Sequence, residues 1–164
     1  MTLDFVSPSL CDPETLVSPL RRALEGAEGS RIGDLSLDGK VEIRGDLSLF
    51  EIDGADELIW LTPRRGLLLV EGDPIESARQ VREQGLLAYD MTAALAGLEL
   101  EGERLMHRLT DLDLDALPAA GTFARIGAIV VHDEGERFRV YCPPELGHYV
   151  AESVLDAIAG LDNR

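Results

Sequence analysis

Asp90-Met91-Thr92 leads into Leu98-Glu99-Leu100-Glu101-Gly102, and this stretch decides the reading of the fold. Leu98 and Leu100 alternate with Glu99 and Glu101, the pattern of a strand that buries one face, and Gly102 stops it. An earlier stretch follows the same plan. Asp34-Leu35-Ser36 leads into Val41-Glu42-Ile43-Arg44-Gly45, so that each copy places Asp-x-Ser/Thr ahead of an alternating strand that ends at glycine. Duplication and a coincidence between two common strand entries both account for this weak internal repeat.

Reading outward from the two copies gives the remaining elements. Lys40 to Gly45 is the first strand. Leu58-Ile59-Trp60-Leu61-Thr62 and Gly66-Leu67-Leu68-Leu69-Val70 are short apolar runs joined by Pro63-Arg64-Arg65, a hairpin. Asp73 is an N-cap with Pro74 at the first helical position and Glu76 behind it; Ile75, Ala78, Val81 and Arg82 form the inward stripe, and Gly85 ends the helix. Leu86 to Tyr89 and Leu95 to Leu100 are strands, and Gly102 to Thr110 is a short helix with Leu105 and Leu109 inward. Leu117-Pro118-Ala119-Ala120-Gly121 is a turn. Ala124 to His132 then pairs with Arg137 to Tyr141 across Asp133-Glu134-Gly135-Glu136. A helix from Glu145 to Ala159 buries Val150, Val154, Leu155 and Ile158 and stops at Gly160.

The predicted fold class is α+β: one compact domain over residues 30–164, built of two small βαβ-like halves at about 30–86 and 87–161. Residues 1–29 read as an N-terminal arm, punctuated by Pro8, Pro13 and Pro19, with a short helix from Ser18 as N-cap through Glu25. Poor in core residues, the arm is expected to order only against something else.

Composition sets the outer bounds. The chain has 164 residues and 45% hydrophobic content, that of an ordinary globular protein. No apolar run approaches the roughly eighteen residues of a spanning helix, and Met1-Thr2-Leu3-Asp4 lacks the basic and apolar regions of a signal peptide. A cytoplasmic protein is expected. Thirty-one acidic against fifteen basic residues give a net charge of −16, which disfavours nucleic acid and anionic membranes as partners. Lys40 is the only lysine.

Motifs for chemistry are scarce. Cys11 and Cys142 form no CxxC pair, and His107, His132 and His148 have no second ligand at helical or hairpin spacing, so no metal site is expected. Asp111, Asp113 and Asp115 fail as a calcium loop, because Ala116 and Thr122 stand where glycine and glutamate are needed. No glycine-rich phosphate loop is present. Trp60, the one tryptophan, reads as core by default and as a partner contact otherwise; Arg64 and Arg65 are candidate contacts for a carboxylate-rich partner.

The order and spacing of several segments resemble the gamma subunit family of heterotetrameric sarcosine oxidase, a relative of the folate-binding glycine-cleavage T-protein fold. They are Ser18-Pro19-Leu20, Arg44-Gly45-Asp46, Leu58-Ile59-Trp60-Leu61-Thr62-Pro63 with Leu67-Leu68-Leu69-Val70, Tyr89-Asp90-Met91-Thr92, Leu98 to Gly102, Asp113-Leu114, Phe138-Arg139-Val140, and the helix of Tyr149 and Leu155-Asp156-Ala157. Three segments depart from the family: Asp46 to Glu57 is short, Gly102-Glu103-Arg104-Leu105 replaces a Gly-Pro-x-Ala turn, and Thr110-Asp111-Leu112 replaces a Cys-Pro.

The resemblance implies a gamma-type subunit, not catalytic by itself, in a complex that oxidatively demethylates sarcosine or a related methylated amine and passes the one-carbon unit to tetrahydrofolate. Alpha, beta and delta subunits are the implied partners, and they would hold FAD, FMN, NAD, tetrahydrofolate and zinc, with no cofactor bound by this chain alone. The acidic pair of folate-dependent aminomethyltransferases falls at about Ile126 and Gly127, neither of which moves a proton. The alternatives are a free-standing folate-binding protein or aminomethyltransferase of the same superfamily, and an acidic scaffold module without a ligand.

Overall fold

The computed structural model describes residues 16–25, 27, 31–51 and 56–162. Among the described residues, nine strands and four α-helices follow in chain order: α1 (Arg21–Leu24), β1 (Ile32–Asp34), β2 (Gly39–Arg44), β3 (Glu57–Thr62), β4 (Arg65–Val70), α2 (Pro74–Glu83), β5 (Leu87–Asp90), β6 (Ala96–Glu101), α3 (Glu103–Leu109), β7 (Ala119–Phe123), β8 (Ile126–His132), β9 (Arg137–Cys142) and α4 (Gly147–Asp162). They form a four-stranded sheet of order β3-β4-β2-β5 and a five-stranded sheet of order β1-β6-β9-β8-β7, both antiparallel. The α+β expectation holds.

The halves are βαβ-like in a split sense. β4 and β5 lie on either side of β2 and antiparallel to it, so they run parallel to each other, with α2 between them in sequence. β6 and β8 flank β9 in the same way, with α3 in their connection. Strands cross between halves, however: β1 belongs to the five-stranded sheet, and β5 to the four-stranded one.

The repeat is visible at these two crossovers. The Asp34 and Asp90 side chains accept from the backbone N–H of Ser36 and Thr92, each at 2.9 Å. Leu35 N donates to Gly97 O at 2.9 Å, and Met91 N to Lys40 O at 2.7 Å. The Ser36 hydroxyl accepts from Gly97 N (3.2 Å) as the Thr92 hydroxyl accepts from Lys40 N (3.1 Å). Each Asp-x-Ser/Thr turn thus clips the chain, as it leaves one sheet for the other, to the first residues of the neighbouring strand in the sheet it is leaving. Gly45 and Gly102, with φ of 143° and 118°, close the two repeat strands in a conformation that side chains disfavour.

Packing follows in four layers. Val41, Ile43, Leu68, Val70, Ala78, Val81 and Ala88 form the core between the four-stranded sheet and α2. Ile59, Leu67, Val131 and Tyr141 join the sheets face to face. The largest core, with Leu98, Leu100, Leu105, Phe123, Phe138, Val140, Val150 and Val154, fills the space between the five-stranded sheet and α1, α3 and α4. α2 is capped as its sequence dictates: Asp73 accepts from Ile75 N at 2.9 Å, Pro74 is at the first position, and Gly85 takes φ 85° after the last turn.

Four expectations are corrected. Ile75 points outward while Ala78 and Val81 are buried, because the stripe facing the sheet is narrower than the sequence pattern. Residues 119–123, expected in part as a turn, form β7, and α4 runs through Gly160 to Asp162. The described part of the arm is integral to the fold: Leu20 is 0% exposed in the largest core, and the Ser18 hydroxyl accepts from Leu20 N just ahead of α1 and donates to Asp34. The rest of the arm expectation, residues 1–15, 26 and 28–29, lies outside the described residues.

Candidate docking site

The β3–β4 hairpin carries the three residues singled out in the sequence. Thr62 pairs with Arg65 around the two-residue loop Pro63-Arg64, and the register shifts between Trp60 and Thr62. Gly45 N donates to Arg64 O (3.1 Å), which docks the loop onto the segment after β2. Gly66 allows the close pairing, since a Cβ there would lie 2.7 Å from Leu58 Cδ1. Trp60 is 47% exposed on an edge strand, so its core reading is corrected: among the described residues β3 has no neighbour beyond it in the sheet to bury the ring.

Arg64 and Arg65, adjacent in sequence, have different surroundings. The Arg65 guanidinium donates to Glu42 Oε2 at 2.8 Å, and Arg44 donates to the other oxygen of the same carboxylate. The Glu42 side chain is 7% exposed. Burial alone raises its carboxyl, but the hydrogen bonds from Arg65 and Arg44 outweigh burial and hold it below the ordinary glutamate value. Arg44 also lies over the Tyr89 ring, 5.7 Å from its centroid. The Arg64 side chain is exposed beside Asp46, whose carboxyl is held low by Ser48, with a smaller contribution from Arg64.

This difference yields a direct prediction. Arg65→Glu puts a second carboxylate against buried Glu42 and lowers stability by about 1–3 kcal/mol, the cost of leaving such a group without its partner. Arg64→Glu changes stability by less than about 0.5 kcal/mol. Urea denaturation of the two single variants checks this, and equal midpoints would place both arginines in solvent.

A second polar cluster joins the sheets. Arg139, on β9, donates to both oxygens of Asp133 (2.5–3.1 Å) and to both of Glu57 on β3 (2.9 Å each). A groove of about 740 Å³ opens at this seam, lined by Asp38, Glu57, Leu69, Glu71, Arg139 and Tyr141 among others. The Arg139 fork is engaged by two carboxylates at once.

The residues at the position of the missing acidic pair lie elsewhere. Ile126 packs on the main core, and Gly127 borders a groove of about 500 Å³ with Leu95, Ala120, Thr122, Ile129 and Tyr141. The ionisable groups of this lining are Arg65, Tyr141 and Cys142. Burial pushes the Tyr141 phenol up to about 12 and the Cys142 thiol up to about 11, so both hold their protons at neutral pH. His132 Nε2 donates to Gly135 O (2.8 Å), and the ring stacks on Phe138. Among the described residues, no three His, Cys, Asp or Glu side chains converge on one point, and no helix is long and apolar enough to cross a membrane.

Glu42, Arg44, Glu57 and Arg139 are residues of these clusters that the sequence did not single out, and Lys40 is a further buried charge outside both. The one available signal was Lys40 itself, a lone lysine at an alternating strand position. Its side chain is fully buried, with Nζ donating to Ser36 O (3.0 Å) and Asp38 O (2.5 Å).

No protein-family model and no curated protein matches the chain. Among solved structures it is similar to a chain of the heterotetrameric sarcosine oxidase from Corynebacterium sp. U-96, in complex with pyrrole 2-carboxylate, at a TM-score of 0.73 and 17% identity. That likeness covers 88% of this chain and 95% of the other. The chain has the fold of a sarcosine oxidase subunit. The regulatory subunit of aspartate kinase from Thermus thermophilus, in its ligand-free form, aligns at a TM-score of only 0.48 and 16% identity, over 77% of this chain and 96% of that one. Strands of both sheets (β2 to β6 and β9) and the helix α4 lie in, or overlap, the segments on which the sarcosine oxidase resemblance rests. The likeness at the level of coordinates therefore agrees with the order of motifs in the sequence.

Proposed function

We propose that this chain is a non-catalytic, gamma-type subunit of a sarcosine-oxidase-like complex that demethylates sarcosine or a related methylated amine and passes the one-carbon unit to tetrahydrofolate. The observation that carries the reading is the extent of the likeness: 95% of the sarcosine oxidase chain and 88% of this one are matched, so it spans both sheets and not one half alone. The groove beside Gly127 supports a docking role over a reacting one, because among the described residues its lining has no carboxylate and its phenol and thiol stay protonated. Those residues do not fit a folate nitrogen that needs a proton acceptor. Alpha-, beta- and delta-type partners hold FAD, FMN, NAD, tetrahydrofolate and zinc in this reading, and the exposed face of Trp60 and Arg64 belongs to the docking surface.

The test is purification of the tagged full-length chain, alone and from its native cells. Alone, it is expected to be colourless and inactive on sarcosine. From native cells, it is expected to bring flavoprotein subunits in fixed ratio, with sarcosine oxidation in the same fraction. A stoichiometric flavin band or amine oxidation from the isolated chain overturns the reading. Tight binding of tetrahydrofolate by the isolated chain favours a free-standing folate protein instead.

A further inference from the structure

A sheet edge is a template for another strand, and soluble proteins guard such edges with short strands, charges or covering groups. Among the described residues the two sheets end on four edge strands, β1, β7, β3 and β5. β1 is three residues long. On β5, the outward carbonyl of Ala88 is occupied by Arg82 of α2, at 3.0 Å from Nε and 2.6 Å from the terminal nitrogen. On β7, Thr110 Oγ1 donates to Thr122 O at 2.6 Å, and Thr110 and Phe123 form a bridge that covers the end of the strand. β3 differs: it runs for six residues, Glu-Leu-Ile-Trp-Leu-Thr, with no lysine or proline in it.

The register fixes which groups of β3 face outward. Gly45 N donates to Arg64 O, so the alternation of the β2–β4 ladder turns Gly66 and Leu68 toward β2, and Arg65, Leu67 and Leu69 toward β3. Glu57 and Ile59 therefore bond to β4, while the N–H and C=O of Leu58 and Trp60 point away from the sheet. Among the described residues, no hydrogen bond reaches these outward groups. The half-exposed Trp60 ring stands beside them, and exposed Arg64 stands at the end of the strand.

We propose that β3 is completed by an extended strand of a partner subunit, which pairs with the outward backbone of Leu58 and Trp60 and sets a carboxylate against Arg64. The inference rests on the subunit reading above and names the surface and the partner's chemistry. Charge selects among occupants: two copies of a chain of net charge −16 repel each other, whereas Arg64 is a basic contact at the end of an apolar edge. Main-chain pairing supplies affinity in such strand addition, and the flanking side chains supply selectivity.

The experiment is amide hydrogen exchange, read at Leu58, Ile59 and Trp60, on the full-length chain alone and on the assembly it brings from native cells. In the free chain Leu58 and Trp60 are expected to exchange fast and Ile59 slowly; in the assembly both outer amides slow by roughly 100-fold or more, since exchange then requires the partner strand to open. Trp60→Lys, which places a guard charge on this edge, is expected to weaken assembly about 10-fold or more at an unchanged melting temperature. Leu87→Lys, the same change on the guarded β5 edge, leaves assembly intact. An assembly in which Leu58 and Trp60 still exchange fast overturns the inference while the subunit reading stands. Slow exchange in the free chain also overturns it, with a dimer mass identifying a second copy as occupant and a monomer mass identifying the chain's own residues. A chain that purifies alone removes both readings.

Discussion

Arg139→Met is expected to lower the unfolding free energy by roughly 2–4 kcal/mol, a large part of the total stability of an ordinary domain. The Arg139 side chain is 14% exposed and is the charged link between the sheets, holding Asp133 of its own hairpin and Glu57 of β3. The apolar contact between the sheets rests on buried Ile59, Leu67, Val131 and Tyr141 with partly buried Leu61, Leu69, Leu95 and Ile129 against them, and the ion cluster ties the sheets beside it. Burial alone lowers the guanidinium pKa, and the hydrogen bonds to Glu57 and Asp133 outweigh it. Methionine fills much of the volume but leaves Asp133 half-buried without its cation. The range lies below that for a fully buried pair because Glu57 is half exposed.

Adding Asp133→Asn to Arg139→Met should recover part of the loss, because the unpaired charge goes with it. The exposed cluster of Arg79 with Glu76 and Glu83 on α2 is the comparison: Arg79→Ala is expected to leave the urea midpoint nearly unchanged, because solvent screens these pairs. Guanidinium chloride would mask these charges, so urea is the denaturant. A loss at Arg139 no larger than that at Arg79 would show that the sheets are held by apolar contact alone.

What the sequence disclosed and what it hid follow from the range of the interactions involved. α2 was legible to the residue because Asp73, Pro74 and Gly85 act locally, each through one hydrogen bond or one φ angle. β7 was not. Its hairpin turns at Ala124-Arg125 with φ of 46° and 69°, a left-handed pair that normally announces itself as Asn-Gly, and Ala119-Ala120-Gly121 has little strand propensity. Gly160 reads as a stop, yet tertiary packing carries α4 past it at a cost of about 1 kcal/mol. The exchange of β1 and β5 between halves leaves no local trace, since pairing partners such as Ile32 and Leu100 are far apart in sequence.

The site was legible in the same uneven way. Arg64 and Arg65 stand out as a basic pair in an acidic chain, but alternation identifies which residues share a face and not what that face meets. By alternation alone, Lys40 and Glu42 fall on the solvated side of β2. In the fold, that side faces the second sheet, and Val41 and Ile43 face α2, so both faces of the strand are buried.

Lys40 gives the second large effect, seen in how stability depends on pH. Burial lowers its amine from 10.5 to about 8, opposed by the nearby carboxylates of Asp38, Asp34 and Asp90. The unfolded lysine keeps its proton up to its ordinary value, whereas the folded one releases it near pH 8. Between those two values the unfolded state binds more protons, so stability rises with pH across that window and is lost again as pH falls through 8. The full rise is about 3 kcal/mol, since a tenfold difference in proton affinity between the two states corresponds to about 1.4 kcal/mol. Two groups act in the opposite sense. Cys142, raised from 9.0 to about 11, and Tyr141, raised from 10.0 to about 12, stay protonated longer in the fold than in the unfolded chain, and each lowers stability as pH passes through its window. Subtracting the curve of a Lys40→Met variant cancels both, because neither group is altered. Urea unfolding at intervals from pH 7 to 10.5 should therefore give a difference, wild type minus variant, that climbs by about 3 kcal/mol, most of it above pH 8. A flat difference would mean that the Lys40 amine is hydrated in the fold and not held dry between Ser36 O and Asp38 O.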